Sequence, residues 1–245
     1  MRVISLCPSL TETVFRLGRA HTLVGRTKFC VQPVGAVAAV ERVGGTKNPK
    51  LERILELAPD LVLMNEEENR REDAEALGAH GVRVLSTFAR DVAGAAATVE
   101  EIGAAIGASP EAKELAAQIT ARAAEVATRA RSRPPRGFVY LIWQRPWMAV
   151  APDTYIDGLL RLAGGVNLIE DSAVRYPEVD RATLERAELI LLSSEPFPFA
   201  EKHRAELIKE TGLPAERFRL VDGQLLSWHG ARTLEGLDYA ERALR

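Results

Sequence analysis

Residues 51–86 read LERILELAPDLVLMNEEENRREDAEALGAHGVRVLS, and this stretch decides the fold. A helical pattern over 51–57 leads into the apolar run 60–64, which a polar, glutamate-rich loop follows. A charged helix is predicted from 69 to about 80, and the apolar run 82–85 closes the unit. Short apolar runs that alternate with helices are typical of parallel strands covered by helices. The sequence therefore predicts an α/β fold.

A second stretch, residues 184–222, repeats this order as LERAELILLSSEPFPFAEKHRAELIKETGLPAERFRLVD. Each stretch contains the end of a helix, an apolar strand, a glutamate-bearing loop, a charged helix, a glycine and another strand. This loose internal similarity favours two like lobes. Between them a long helix is predicted, because Ser109 suits a cap, Pro110 suits the first helical position, and one apolar stripe continues to about Arg131.

We therefore predict two Rossmann-like α/β lobes, 1–108 and 134–245, joined by a single long backbone helix over 109–133. Ligands of such sheets bind beyond the carboxyl ends of the strands, so a ligand cleft between the lobes is expected. Ser9 is predicted to cap a helix over 11–17. Further strands are predicted at 3–6, 23–25, 137–142, 188–192 and 217–221, and further helices at 93–106, 155–163 and 201–209.

Bulk composition argues against several classes of protein. A net charge of −2 over 245 residues offers no basic surface for nucleic acid. Two cysteines, Cys7 and Cys30, are too few for a disulfide framework, so free thiols are expected. No apolar run reaches about 18 residues, so no membrane span is expected. The opening MRVISLCPS lacks the features of a secretory signal, which predicts a cytoplasmic protein or one whose signal has been removed.

Catalytic motifs were sought and none was found. The chain has no GxGxxG after a strand, no Walker A loop, no GxSxG elbow and no HExxH. Without such a motif, no catalytic residues are predicted. No His or Cys at metal-ligand spacing accompanies Cys30, so no metal ligands are predicted either. A binding protein without a catalytic cofactor is the favoured interpretation, and a two-lobed transferase is the enzyme alternative.

Candidate ligand-binding residues in the first lobe follow predicted strand ends. Pro8 and Ser9 allow two interpretations. They either serve only to start a helix, or the exposed backbone amides at that helix N-terminus bind an anionic group of a ligand. Phe29 follows the second strand and suits either the core or a ligand contact. Glu66 is the glutamate nearest a strand end in NEEEN, where the helix dipole is the alternative explanation. The full set in this lobe is Pro8, Ser9, Phe29, Lys47, Asn65 and Glu66.

The second lobe carries all three tryptophans on strand-end loops. In YLIWQRPWM, Pro146 should end the strand, so Trp143 is expected to pack inside and Trp147 to reach the rim of the cleft. Arg145 is then available to a carboxylate or phosphate of a ligand. Aromatic groups with polar rims suit a bulky, partly apolar ligand. The full set in this lobe is Arg145, Trp147, Tyr176, Glu195, Phe197, Trp228 and His229.

Taken in order, several motifs resemble the helical-backbone substrate-binding proteins of ABC importers, the periplasmic binding proteins that capture cobalamin and ferric siderophores. The motifs are RVISLCPSLTETVFRLG, LERILELAPDLVL, YIDGLLRLAGGVNLIEDS with YPEV, and DGQLLSWHGAR, and they cover nearly the whole chain. The resemblance implies two lobes bridged by a rigid helix, a small-molecule metal chelate held in the cleft, and no catalysis. It also implies a periplasmic or other extracytoplasmic location, ABC permease subunits as partners, and a monomer.

The same resemblance suggests which chelate is bound. Phe29, Tyr176 and Trp228 match aromatic positions of cobalamin binders, whereas Thr46 and Asn65 fall where those proteins carry tryptophans. Cobalamin or a related corrinoid is the first expectation. A ferric siderophore, haem, or a cytoplasmic cofactor-binding role without an importer are the alternatives.

Docking to the importer is expected at one carboxylate on each lobe. Glu52 matches the first-lobe position, whereas the second-lobe position is Ala182, with Glu185 nearby as the substitute.

Overall fold

The computed structural model describes residues 1–170 and 173–245. The chain forms two compact units, each with its own sheet. The first unit comprises residues 1–89, 93–118 and 229–232, and the second comprises 90–92, 119–228 and 233–245. Within the described ranges, no helix combines the length and the apolar character needed to cross a bilayer.

A four-stranded parallel sheet is the centre of the first unit. Its strands are β1 (Val3–Ser5), β2 (Leu23–Arg26), β3 (Leu61–Asn65) and β4 (Arg83–Thr87), in the order β2-β1-β3-β4. The helices are α1 (Pro8–Arg16), α2 (Leu51–Glu56), α3 (Arg71–Ala79) and α4 (Val92–Ala105). Apolar side chains from β1 and β3 pack with Ile54 of α2 and Leu77 of α3 to form the core. Strands β1 and β3 are buried along their whole length, as expected for central parallel strands, whereas the edge strand β4 is partly exposed.

The long helix α5 runs over Ser109–Arg131, as predicted, and its residues divide between the units after Gln118. The second unit has the strands β5 (Arg136–Trp143), β6 (Met148–Ala149), β7 (Gly165–Asn167), β8 (Leu189–Ser193) and β9 (Phe218–Val221). β8 and β7 pair parallel with β5, β9 pairs parallel with β8, and β6 pairs antiparallel with the end of β5. Its helices are α6 (Tyr155–Leu162), α7 (Arg181–Arg186), α8 (Glu201–Thr211), α9 (Gly223–Ser227) and α10 (Thr233–Ala243).

The α/β fold and the repeated strand–helix order are confirmed, but one predicted cap is wrong. Helix α1 starts at Pro8 with Cys7 as its N-cap, and no side chain caps it. Pro8 takes the first helical position because its fixed φ suits that position and it has no N–H to satisfy. Ser9 therefore lies inside the first turn, buried, with its hydroxyl 3.3 Å from the Cys7 thiol.

A buried carboxylate holds the last helix of the second unit. Glu241 of α10 is 6% exposed and accepts hydrogen bonds from Arg129, Arg133 and Arg245 at 2.8–3.1 Å. The hydrogen bonds from Arg129 are the main reason that the pKa of Glu241 falls to about 2. Because the folded pKa lies below the ordinary value of 4.5, this stabilisation is present above about pH 4.5 and is lost as the pH falls towards 2.

We expect Glu241→Gln to lower the free energy of unfolding by about 2 kcal/mol at pH 7, because three arginines lose their buried counter-charge. The variant should also lose part of its pH dependence below about pH 4.5. Urea denaturation followed by circular dichroism at a series of pH values measures both effects. Glu170→Gln is the matched control, because Glu170 is 85% exposed and its ion pair with Arg186, at 3.5 Å, lies on the surface. Equal losses of unfolding free energy in Glu241→Gln and Glu170→Gln would contradict the stabilising role of Glu241.

Candidate functional site

The parallel sheet of the first unit brings the predicted residues to one edge. Strands β1, β2 and β3 are neighbours and run in the same direction, so the residues after their carboxyl ends share that edge. Pro8 and Ser9 follow β1, Phe29 follows β2, and Asn65 ends β3. Phe29 is 49% exposed, which makes it a surface residue rather than a core one. Pro8 is half-buried and Ser9 is buried.

Two buried asparagines tie these loops together. The Asn69 side-chain amide donates to the carbonyls of Leu6 and Thr46, each at 3.0 Å, and its oxygen accepts from the Asn65 N–H at 2.8 Å. The Asn65 side chain accepts from the N–H groups of Glu67 and Glu68. Asn65 is predicted to contact a ligand, but its side chain is already engaged in hydrogen bonds within the first unit. Asn69 was missed, because NEEEN suggested only the start of a helix.

The segment 229–232 returns to this edge from the far end of the chain. His229 is buried, and its Nε2 lies 3.1 Å from the Asn65 amide nitrogen. Arg232 makes two hydrogen bonds to Glu12 of α1, at 2.6 and 2.7 Å. Glycine is required at 230, because its φ is +89° and a Cβ there would lie 2.6 Å from the Thr13 hydroxyl.

The exposed residues near this edge are polar. Lys47 is exposed and donates to the carbonyl of Glu67 at 2.6 Å. Glu66 is exposed, and its N–H donates to the Thr87 carbonyl at 3.1 Å, which fixes the backbone at the start of the loop. Both side chains are accessible to a solute.

In the second unit a carboxylate orients a tryptophan. Glu195, which follows β8, accepts from the Trp228 indole N–H at 2.9 Å and from the Gln224 amide at 3.1 Å. Trp228 is 6% exposed, so this bond satisfies a buried donor. Close approach of the two loops depends on Gly223, since a Cβ there would lie 2.6 Å from the Ser193 hydroxyl. Glu195 and Trp228 are thus in direct contact with each other, and their contact with a ligand stays a prediction.

The exposures predicted for Trp143 and Trp147 are wrong, because Trp143 is the more exposed of the two and Trp147 the more buried. Trp143 is 42% exposed, whereas Trp147 is partly buried against the core of the second unit. The reason is the hairpin of β5 and β6, which pairs Trp143 with Met148 and turns Trp147 back onto the sheet. Arg145 lies at the tip of this turn, exposed, with φ at +62°.

A group of aromatic rings lies beside Trp143. The Phe197 ring is 5.6 Å from the Trp143 ring, 4.8 Å from the Phe199 ring and 5.0 Å from the His203 ring, with edge-to-face geometry in each case. Phe197 is half-buried, whereas Phe199 is 6% exposed and belongs to the core of the second unit.

Tyr176 lies on a segment that runs beside β6. The N–H of Ala149 donates to the carbonyl of Pro177, and the N–H of Ala151 donates to the carbonyl of Arg175. Tyr176 is half-buried in this segment. Its neighbours Asp171 and Ser172 lie outside the described residues. In the part of the chain that is described, no group of three or more His, Cys, Asp or Glu side chains gathers as a metal site.

The two predicted docking carboxylates differ in their surroundings. Glu52 is exposed in the first turn of α2. Glu185 is also exposed, but it accepts a hydrogen bond from Arg181 at 2.7 Å on the same helix. Glu185 must therefore give up an ion pair before it can bind an external arginine.

Both units thus place aromatic, amide or carboxylate side chains at the carboxyl ends of their strands, where α/β sheets commonly bind solutes. Residues 3–194 match the periplasmic binding protein family, and the chain belongs to this family.

Individual relatives differ in the ligand that they are named for. The chain is 24% identical over 240 residues to the vitamin B12-binding protein of Vibrio cholerae serotype O1, covering 97% of this chain and 86% of that protein. The crystal structure of the periplasmic vitamin B12 binding protein of Vibrio cholerae matches with a TM-score of 0.84 at 22% identity, over 99% of this chain and 96% of that one. The periplasmic heme-binding protein of Roseiflexus sp. RS-1 matches with a TM-score of 0.85 at 23% identity, over 100% and 99% of the two chains.

Burial lowers the pKa of His229 to about 4, from an ordinary value of 6.5. The unfolded chain therefore takes up a proton that the folded chain does not, and stability falls as the pH drops from 6.5 towards 4. We expect His229→Gln to remove this loss, which reaches about 1.4 kcal/mol per pH unit at its steepest. Urea denaturation at a series of pH values between 7 and 4 measures this loss of stability. His21→Gln, at an exposed histidine, should keep the wild-type slope. An unchanged slope in the His229 variant would show that another group titrates.

Proposed function

We propose that this chain is the substrate-binding protein of an ABC importer and that its cargo is a metal chelate, first of all cobalamin or a related corrinoid. The observation that carries the proposal is the similarity to a vitamin B12-binding protein over 97% of this chain. Its fold and the fixed side chains at its strand ends support the same role.

The chemistry of a corrinoid fits the residues that each unit offers. A corrin ring is broad and partly apolar, and its edge carries amide groups. Exposed Phe29 and half-buried Tyr176 offer aromatic faces, while Lys47, Glu66 and Arg145 offer charged groups to the polar edge. Trp228 cannot reorient freely because Glu195 holds its indole, so it contributes to binding without a large loss of side-chain entropy.

Haem is the second candidate, and a specific observation favours it. The Roseiflexus protein named for heme has the same fold over the whole chain. Haem carries two carboxylates, and Arg145 is exposed at the tip of a tight turn where it can pair with one of them. A ferric siderophore, which is larger and more polar, is the third candidate.

Titration of the purified protein with cyanocobalamin, with haemin and with a ferric siderophore separates these candidates. Each ligand absorbs light and should quench tryptophan fluorescence, so one-to-one saturation with a Kd below about 1 μM identifies the cargo. We expect cyanocobalamin to bind most tightly. Saturation by haemin alone would move the assignment to haem, and no binding of any of the three would contradict the proposal of a metal chelate.

The aromatic contribution can be measured with one substitution. Tyr176→Ala should weaken binding by about five- to a hundredfold, because loss of an aromatic contact costs about 1–3 kcal/mol. Val174→Ala is the matched control, since Val174 is 58% exposed on the same segment. Calorimetry on both variants measures the effect. Equal affinities for wild type and Tyr176→Ala would remove Tyr176 from the site.

Docking to the importer is assigned to Glu52, with Glu185 as the weaker candidate because of its ion pair with Arg181. Permease subunits are the partners, and a periplasmic or other extracytoplasmic location follows from this role. A cofactor-binding protein without an importer is the alternative, and it predicts binding without transport.

We expect Glu52→Ala to reduce transport of the bound chelate about fivefold or more while leaving its affinity unchanged, because an interfacial charge pair is lost. Uptake by cells that lack their own binding protein, supplied with this chain in the compartment where the importer docks, is the measurement. Glu72→Ala is the control, because Glu72 is also an exposed glutamate in the first turn of a helix. Uptake that is equal in both variants would exclude Glu52 from docking.

A further inference from the structure

An uncharged segment lies on the surface of the first unit. Residues 29–40, FCVQPVGAVAAV, contain no Asp, Glu, Lys, Arg or His, and are called the apolar loop below. Val34 is 82% exposed and Val31 is 45% exposed, whereas Val37 and Val40 are buried. The loop therefore has an inner and an outer apolar side. Three alanines of the outer side are also exposed, namely Ala36, Ala38 and Ala39.

A buried arginine fixes the shape of the apolar loop. Arg26 is 3% exposed, and its guanidinium donates to the carbonyls of Val37 and Val40 at 2.8 and 3.2 Å. It also donates to the carbonyls of Thr27 and Cys30 at 3.2 and 2.9 Å. These inward-turned carbonyls are satisfied by a side chain of the same unit. The exposed valines and alanines of the outer side are thus carried on a backbone that Arg26 holds in place.

Basic residues flank the apolar loop in the sequence. Residues 26–53 contain six cationic and two anionic side chains, and one of the cations, Arg26, is buried. One anion, Glu41, is taken by Arg53 at 2.6 Å. Lys28, Arg42 and Lys50 are exposed next to the loop in sequence. Lys47 is also exposed, and it donates to the Glu67 carbonyl at 2.6 Å.

We propose that the apolar loop, with Lys28, Arg42 and Lys50, docks onto a bilayer surface that carries anionic lipids. Stable attachment to a bilayer needs two signals, and this surface combines apolar insertion with a basic rim. The inference goes beyond the proposed import function and does not depend on the identity of the chelate.

The test is sedimentation of the full chain with vesicles of phosphatidylcholine alone and of phosphatidylcholine with phosphatidylglycerol. We expect binding only when phosphatidylglycerol is present, and weaker binding as salt is added. Val34→Asp should weaken binding about tenfold, because the exposed valine that inserts into the bilayer is replaced by a charge. Lys28→Gln and Lys50→Gln should each weaken it about fivefold. Val174→Asp, at an exposed valine of the second unit, should bind as wild type does.

Three results would overturn the proposal. Wild type that binds neither vesicle has no membrane surface of this kind. Equal binding by Val34→Asp and wild type would assign the contact to another surface. Self-association of wild type that Val34→Asp abolishes, seen by analytical ultracentrifugation without vesicles, would assign the loop to a second copy of the chain. Circular dichroism and the chelate titration, which Val34→Asp should leave unchanged, show that the variant is folded.

Discussion

Side-chain amides and carboxylates hold the strand-end loops of both units, and the geometry of the candidate site depends on them. In the first unit, Asn69 satisfies two loop carbonyls and one strand N–H that have no partner in the sheet ladder. Buried backbone groups must find partners, and an unpaired one costs about 1–3 kcal/mol. Asn69 therefore fixes three separate loops relative to one another with a single side chain.

The second unit solves the same problem with a charge. Glu195 holds Trp228 and Gln224, and the Ser193 hydroxyl accepts from both the Tyr140 phenol and the Glu195 N–H. Side chains held in this way lose little freedom when a solute binds, so more of the contact energy appears as affinity. The two units share a fold type but use different chemistry at their strand ends.

Sequence reasoning worked best where the signal is local. The alternation in residues 51–86 and its repeat at 184–222 predicted strands β3 and β8 and their flanking helices, because period and apolar content are properties of a few adjacent residues. It failed where a contact with another strand or with a residue distant in the sequence determines the position of a side chain. Trp143 and Trp147 exchanged their expected exposures because β6, only two residues long, forms a hairpin with β5. Asn69 and His229 are separated by 160 positions in the sequence and meet at Asn65, which no local pattern reveals.

The buried guanidinium of Arg26 has an evolutionary consequence. Since Arg26 belongs to β2 and grips the loop by its carbonyls, the loop keeps its path whatever side chains it carries on the outside. Substitutions at positions such as 31 and 34 can then accumulate without unfolding the unit, and new surface properties can be sampled at little cost in stability. Arg26 itself has no such freedom, because its loss would remove one donor from each of four carbonyls. One buried residue thus permits variation at the exposed positions of the loop.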